Sequence, residues 1–544
     1  MNGMDGTVLR DWAQAAVAQL VAHADEINGL NVFPVADADT GTNMVFTMRS
    51  AAAGAQDAHQ RSGGQVQAVA AGLAAGALQG ARGNSGVLLA AILRGFADAT
   101  DHGVLCIDAA VLADALNRGV ALAIASVGED VPGTIVSALA AAAAEAGRQA
   151  ESADLAVAVR ATADAASAAL DRTTGQLDVL AQAGVVDAGA RGLLVLLDAM
   201  TGTLTGHLPA RPRYEAARSP EVDHVHGHVE GNTPEFEVMY LLDGCDPGAV
   251  ETLRGRLDGL GDSLAIAAGP GGAGCGPHQV HLHTDDAGAA IEAALDLGTV
   301  SRIVVTALSG GRRPAGDWSA ERAVLAVVDG AGAVELFGAE GAVALPRGDG
   351  PVTAQQFLNA LVGTGAAQIM VLPNGFLAPE ELVAGCTTAI GWGMDVVPLP
   401  TVSMVQGLAA LAVHDPGRQA VDDGYTMAAA AAGVRYGSVR IATDTALTWA
   451  GQCLPGDGLG IAGDEVLIVA PDVLSAATGL IDRLLTAGGE LVTVLTGRDI
   501  VAAERGLSGL TDQLAEHVRR RHRGVELAVY HTAHRGDLLL IGVE

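Results

Sequence analysis

Two carboxylates stand two residues apart in the segment NVFPVADADTGTNM, residues 31–44: Asp37 and Asp39. Pro34 favours an extended or turn backbone ahead of them. In an extended stretch alternate side chains point the same way, so both carboxylates can aim at one point. Hard oxygen ligands placed like this suit Mg2+, which proteins hold through one or two carboxylates together with substrate phosphates. Thr40, Gly41, Thr42 and Asn43 follow, ahead of a helix expected from Met44 with Thr42 or Asn43 as its N-cap. The free N–H groups of such a helix start make an anion site. A polar turn ending in an N-cap is the competing reading of the same residues.

A second segment, GARGNSG at 80–86, precedes the apolar run VLLAAILRGF. Glycine lets a backbone approach a ligand, and Asn84 and Ser85 offer polar atoms. A phosphate-contacting loop and a plain helix-start turn both fit. A nucleophile elbow does not, because Val87 stands where that motif needs glycine. Further on, His281 and His283 alternate in QVHLHTD, an expected strand, and so face one side. Glu237 lies on the first strand of the same region, and two imidazoles with a carboxylate are an acceptable zinc set. An HxH pair also arises by chance in ordinary strands. Gly269–Gly274 has the form GxGxxG but leads into a strand rather than a helix, which removes a dinucleotide-binding reading. His224, His226 and His228 alternate in a charged, Pro-containing stretch that reads as a solvated linker. RRRHR at 519–523 ends a helix, where cations complement the dipole.

The elements that must position these residues follow from composition and period. The chain has 544 residues, and all 31 of its basic residues are Arg. Without Lys there is no Walker A P-loop, no Schiff base and no phosphate-pairing lysine of the protein-kinase type. Sixty-two acidic residues bring the net charge to -31, which argues against a nucleic-acid partner. Apolar residues make up 50% and aromatics 3%, so the cores must be built from Ala, Val and Leu. Five scattered cysteines without a CxxC point to the reducing cytoplasm. No apolar run reaches the ~18–20 residues of a membrane span, and the first residues lack a signal-peptide pattern.

Residues 1–206 read as helix after helix: Leu9, Trp12, Ala16 and Leu20 keep helical spacing, as do Val66, Val69, Leu73 and Ala77. Residues 207–232 lose all period and read as a linker. Residues 233–310 follow the order βαββαβ, the ferredoxin-like signature. Residues 320–544 alternate strands and helices as an α/β region, with two lobes joined near residue 437.

With these residues in view, NVFPVADADTGTNM, QGARGNSGVLL, VPGTI (131–135) and AGVVDAGARGL (183–193) resemble the DhaL (dihydroxyacetone kinase L) domain. Together with YLLDG, HLHTDDAG, IMVLPNG and PTVSMVQGLAAL, they make nearly the whole chain resemble the large, ATP-binding subunit of bacterial fatty acid kinase. The resemblance implies a multidomain protein: an all-α helical barrel, a ferredoxin-like α+β middle domain and a DegV-like α/β C-terminal region. It implies ATP with two Mg2+ ions on Asp37 and Asp39, with Asn31 near the position of a third ligand. Thr42, Asn43, Asn84, Ser85 and Gly86 would hold phosphates, and Thr134, Asp187 and Gly189 would lie near the nucleotide. Ala38 replaces the glycine usual in fatty acid kinases. Glu237 replaces a family cysteine that shares zinc with the two histidines, here His281 and His283; Cys245 and Cys275 are alternative third ligands. Because Mg2+–ATP chemistry belongs to the helical domain, this zinc is expected to be structural.

The implied activity is ATP-dependent phosphorylation of a fatty acid carboxylate carried by a separate DegV-like protein, giving acyl phosphate for phospholipid synthesis in the cytoplasm. A homodimer is compatible with the sequence. Two other readings compete: a phosphotransferase acting on a small ketone or phosphocarrier, and a non-catalytic nucleotide-binding scaffold.

Overall fold

A computed structural model describes residues 3–33, 38–101, 103–128, 131–151, 154–214, 234–269, 276–308, 320–499 and 509–544. They form two compact units, residues 1–317 and 318–544.

The first unit opens with α1 (Gly6–Gly29), α2 (Thr40–Ser62), α3 (Val66–Gln79), α4 (Gly83–Ala99), α5 (Ala109–Val127), α6 (Ile135–Arg148), α7 (Leu155–Thr173), the short α8 (Asp178–Ala183) and α9 (Ala188–Thr205). The apolar stripes are buried as their spacing requires: Leu9, Trp12, Ala16 and Leu20 on α1, Val66, Val69, Leu73 and Ala77 on α3. Each of α1 to α6 packs on the next, α7 packs on α9, and α9 returns to α1, so the helices close into a ring. Small residues allow the close approach: a Cβ on Gly54 would stand 2.3 Å from the Gly72 carbonyl oxygen, so α2 and α3 touch backbone to backbone. Among the described residues α5 alone is long and apolar enough to cross a membrane; it packs on α4, α6 and β2.

The same unit continues with β1 (Phe236–Asp243), α10 (Pro247–Leu257), β2 (Gly261–Ala268), β3 (His278–Thr284), α11 (Ala287–Leu295) and β4 (Thr299–Ala307), the element order expected from the sequence. The strands form one antiparallel sheet in the order β2-β3-β1-β4. Strand alternation divides its residues. Val238, Tyr240, Leu242, Val280 and Leu282 belong to the apolar core built with α10 and α11. Glu237, Met239, His281 and His283 share the other face, and the sheet meets α3, α4 and α5 of the ring. Side chains join the two layers: Arg94 on α4 donates to the Ala268 carbonyl at 3.1 Å, and Arg254 on α10 donates to the carbonyls of Ala125 (2.9 Å) and Ser126 (3.1 Å) at the end of α5.

The second unit carries β5 (Ala320–Val328), α12 (Ala331–Ala339), β6 (Val343–Pro346), α13 (Ala354–Thr364), β7 (Ala366–Leu372), α14 (Pro379–Gly391), β8 (Asp395–Pro398), α15 (Met404–Ala412) and α16 (Ala420–Gly433). Its first sheet is parallel, in the order β6-β5-β7-β8. Then come β9 (Arg435–Ile441), β10 (Ala446–Thr448), β11 (Gly451–Cys453), β12 (Gly458–Ala462), β13 (Glu465–Ala470), α17 (Val473–Leu484), β14 (Leu491–Gly497), α18 (Leu510–Arg521), β15 (Glu526–His534) and β16 (Leu539–Val543). The second sheet is mixed, β13-β12-β9-β16-β14-β15, and β10 and β11 pair as a separate hairpin. Chain passes from one sheet to the other between α16 and β9. The strands β6, β10, β11 and β12, three to five residues long, are too short to show a period in the sequence.

Candidate active site

Four helices of the ring begin around one cavity. Thr40 opens α2, Gly83 opens α4, Thr134 is the N-cap of α6 and Asp187 the N-cap of α9. A cavity of about 520 Å³ is lined by Phe33, Thr40, Asn84, Ser85, Thr134, Asp187 and Gly189, with Asp262, Ser263 and Leu264 of β2 contributing to its wall. Each helix start carries partial positive charge, so their convergence suits an anion. Asp187 is held by the start of α9: its carboxylate accepts from the Ala190 amide at 2.7 Å, and its own amide donates to Thr173 Oγ1 at 3.0 Å. Burial pushes the Asp187 carboxyl up to about 6, against the hydrogen bonds from the Ala190 and Ile135 amides.

Both loops differ from the sequence reading in where their helices start. Helix α2 begins at Thr40, not Met44, with Asp39 as N-cap. Its first turn is organised by a residue that the sequence pattern did not mark. Asn28, at the end of α1, accepts from the Gly41 amide (2.8 Å) and the Thr42 amide (3.2 Å) through Oδ1, and donates to Thr42 Oγ1 (2.9 Å) through Nδ2. Those two amides are therefore engaged by Asn28, and Thr42 holds the loop rather than lining the cavity. Helix α4 likewise begins at Gly83, so Asn84 and Ser85 ride on its first turn. Gly86 lies against Thr47, where a Cβ would stand 2.5 Å from Oγ1, and lines neither this cavity nor the cleft beside it.

Thr40, Asn84 and Ser85 also line that second, narrower cleft, together with Asn31, Asp39, Asn43, Gly83, Glu237, His281 and His283. The middle-domain triad thus shares a cleft with the acidic loop, where a separate structural site was expected. The sheet register explains the triad. Glu237 on β1 lies directly opposite His283 on β3, and His281 is two residues along the same strand. The three ligand atoms lie within 4.8 Å of one another. His281 Nε2 is 3.1 Å from Glu237 Oε1, and its Nδ1 is 3.1 Å from the Ser263 carbonyl oxygen. A carbonyl can only accept, so Nδ1 donates to Ser263, and Nε2, which faces the Glu237 carboxylate, is the nitrogen that a cation would take in place of its proton. Metal-bound imidazoles are usually oriented in this way. The carbonyl is aimed by an irregularity: β2 shifts register between Asp262 and Ala265, and Ser263 sits there at φ 56°. Bulges commonly re-aim groups beside functional sites.

Burial alone would raise the Glu237 carboxyl. The hydrogen bond to His281, with the charges of His281, His283 and Arg82, outweighs it and holds the group below the ordinary glutamate value. The donor set, one half-buried carboxylate and two buried imidazoles, fits a divalent cation of the zinc class. Cys245 does not join it, for its Sγ lies 3.5 Å from His278 Nδ1 instead. Asn84 Oδ1 is buried and has no hydrogen-bond partner among the described residues, leaving an acceptor within the polar lining. Gly83, at φ 57°, fits under Asn43, where a Cβ would stand 2.4 Å from Nδ2. Asp37, Cys275 and the histidines at 224, 226 and 228 lie outside the described residues, as does most of the Gly269–Gly274 turn.

A ring of helices whose N-termini face one cavity of mixed polar and apolar lining is joined here to a sheet that supplies a carboxylate and two imidazoles, and the chain matches kinase-type families. The DAK2 domain family matches residues 34–202. The FakA-like fatty acid kinase family matches twice, through its middle domain at residues 233–313 and its C-terminal domain at 323–544. The chain belongs to the FakA-like family of fatty acid kinases. It is 28% identical to protein YloV of Bacillus subtilis over 97% of each chain. It is 27% identical to the protein SH1689 of Staphylococcus haemolyticus, again over 97% of each. Among solved structures it is similar to a DegV family protein, Cg2579 from Corynebacterium glutamicum, at 13% identity and TM-score 0.30, covering 41% of this chain and 95% of that one; a likeness of that size carries no argument.

Proposed function

We propose that the chain is an ATP-dependent kinase that phosphorylates the carboxylate of a fatty acid presented by a separate DegV-like fatty-acid-binding protein. The product is an acyl phosphate for phospholipid synthesis, made in the cytoplasm. One observation carries the reading: Thr40, Asn84 and Ser85 line both the 520 Å³ cavity and the cleft that holds Asp39 and the Glu237–His281–His283 triad. A nucleoside in the cavity would send its phosphates across those residues toward the triad.

When bound, Mg2+ and zinc would supply positive charge for the phosphates and the acceptor. Asp39, with Asp37 and Asn31, would hold the magnesium ions; Glu237, His281 and His283 would hold zinc. Asn43, Asn84 and Ser85 would orient the phosphates at the starts of α2 and α4, and Thr134, Asp187 and Gly189 would face the nucleoside. A carboxylate oxygen then bonds to the γ-phosphorus as the bond to the β-phosphate oxygen breaks, and ADP leaves. The acceptor is already an anion, so no strong base is needed; the work is positioning and charge neutralisation, which asks for no lysine. We read residues 1–206 as the kinase domain, 207–232 as a linker, 233–310 as a ferredoxin-like middle domain and 320–544 as a partner-binding region. ATP consumption by the purified chain tests the reading. It should be slow alone and with free fatty acid, and fast with a lipid-loaded DegV-like partner. Equal rates in all three mixtures would remove the proposed acceptor.

A further inference from the structure

The basic end of α18 does more than complement its dipole. Asp482, on α17, accepts through Oδ1 from His517 Nε2 at 2.8 Å and from His522 Nε2 at 2.6 Å. Its other oxygen, Oδ2, lies 3.0 Å from Arg521 Nε. Positions five apart on an unbroken helix do not share a face. His522 reaches Asp482 because the chain leaves helical geometry at that residue, the C-cap of α18, with φ -125° and ψ 76°. The three ligand atoms lie within 4.8 Å of one another. The side chains are 20–24% exposed, so an ion in solution can reach them without unfolding.

We propose that Asp482, His517 and His522 form a binding site for a divalent cation of the zinc class, separate from the Glu237 triad, that ties α17 to α18. Two imidazoles and one carboxylate are a donor set zinc accepts, with water completing the tetrahedron. Arg521 on Oδ2 fixes the carboxylate so that Oδ1 faces both rings, as ligating carboxylates are commonly held by a neighbour. A tetrahedron with bonds of ~2.0 Å has edges of about 3.3 Å. The ligands, now joined by hydrogen bonds, would have to open by several tenths of an ångström, which side-chain rotation at a half-open site permits. The consequence is local rigidity. Leu480 and Leu484 of α17 and Leu514 and Val518 of α18 share one apolar cluster over the second sheet, and the cation would pin that layer from its solvent side.

The test uses the full-length chain carrying His281→Ala, which disables the other set, with cobalt(II) as a visible probe and zinc analysis alongside. One equivalent should bind with a tetrahedral cobalt spectrum, and adding His517→Ala or Asp482→Asn should weaken it at least ~100-fold. Zinc should raise the Tm of His281→Ala and leave that of the double variant unmoved. If His281→Ala does not fold, the wild-type chain compared with His517→Ala gives the same count by difference. A His281→Ala protein that folds and binds no cobalt overturns the proposal, and so does an equivalent that survives both His517→Ala and His522→Ala.

Discussion

Asn28 Oδ1 and the Gly41 amide, 2.8 Å apart, fix the acidic loop to the end of α1. The pair leaves no room between them, for a Cβ on Gly41 would stand 2.9 Å from that oxygen and 2.5 Å from the Ala24 carbonyl oxygen. Asn28 does the work of an N-cap from thirteen residues upstream, because Asp39 makes no side-chain cap bond of its own. Asn28→Ala should therefore cost about 1–2 kcal/mol, the range of a lost helix cap. It should also lower activity, since Thr40 and Asp39 ride on the same turn. Urea unfolding and an ATP assay on the variant check both effects, and unchanged stability would remove Asn28 from this role.

Ala38 stands between the two aspartates at φ 55°. A left-handed conformation costs a residue with a Cβ roughly 1–2 kcal/mol and costs glycine almost nothing. This fits the glycine that the resemblance to fatty acid kinases implies at the position. Ala38→Gly should accordingly stabilise the chain by about 1 kcal/mol, less what glycine loses in the unfolded chain. The chemical-denaturation midpoint reads the gain, and a drop would mean that the loop relaxes in solution.

Asp187 should make stability depend on pH. Its carboxyl is raised from 3.8 to about 6 in the folded chain. The sign follows: the folded state holds the proton more tightly, so the contribution is fully present below the unfolded value and is lost as pH rises through about 6. Above that the buried carboxylate is a burden of up to ~3 kcal/mol. Asn keeps the N-cap without the charge. Asp187→Asn should raise the Tm at pH 8 and change it little at pH 4. A gain of equal size at both values would contradict the titration.

Much of this was legible in the sequence. The period of α1 and α3, the βαββαβ order and the alternation that sets His281 and His283 on one face of a strand need only local rules. What could not be read is how the middle sheet docks. Arg94 and Arg254 bond to carbonyls of the opposite layer, and a carbonyl has no residue code. The Ser263 carbonyl that orients His281 is hidden for the same reason. Asn28 carries no local signal because its partners begin thirteen residues away, across a loop. The start of α2 is hidden because Thr42 and Asn43 look like caps until Asn28 is seen holding the turn before them.

Asp39→Asn tests the acidic loop directly. Asn preserves shape but not charge, so phosphoryl transfer should fall by ~100-fold or more while the fold persists. Retention of more than about a tenth of the rate would contradict a metal-holding role for this carboxylate.

The shared cleft makes the strongest demand: the middle domain must take part in the chemistry. The decisive measurement is acyl phosphate formation, trapped as the hydroxamate, from ATP and a fatty-acid-loaded DegV-like protein, for the wild-type chain and for Glu237→Ala and His281→Ala. Wild type should form product. Both variants should lose it by ~100-fold or more while still binding nucleotide and melting cooperatively. Folded variants that work at the wild-type rate would return the triad to a purely structural role, and a wild-type chain that forms no acyl phosphate with any loaded partner would contradict the kinase account itself.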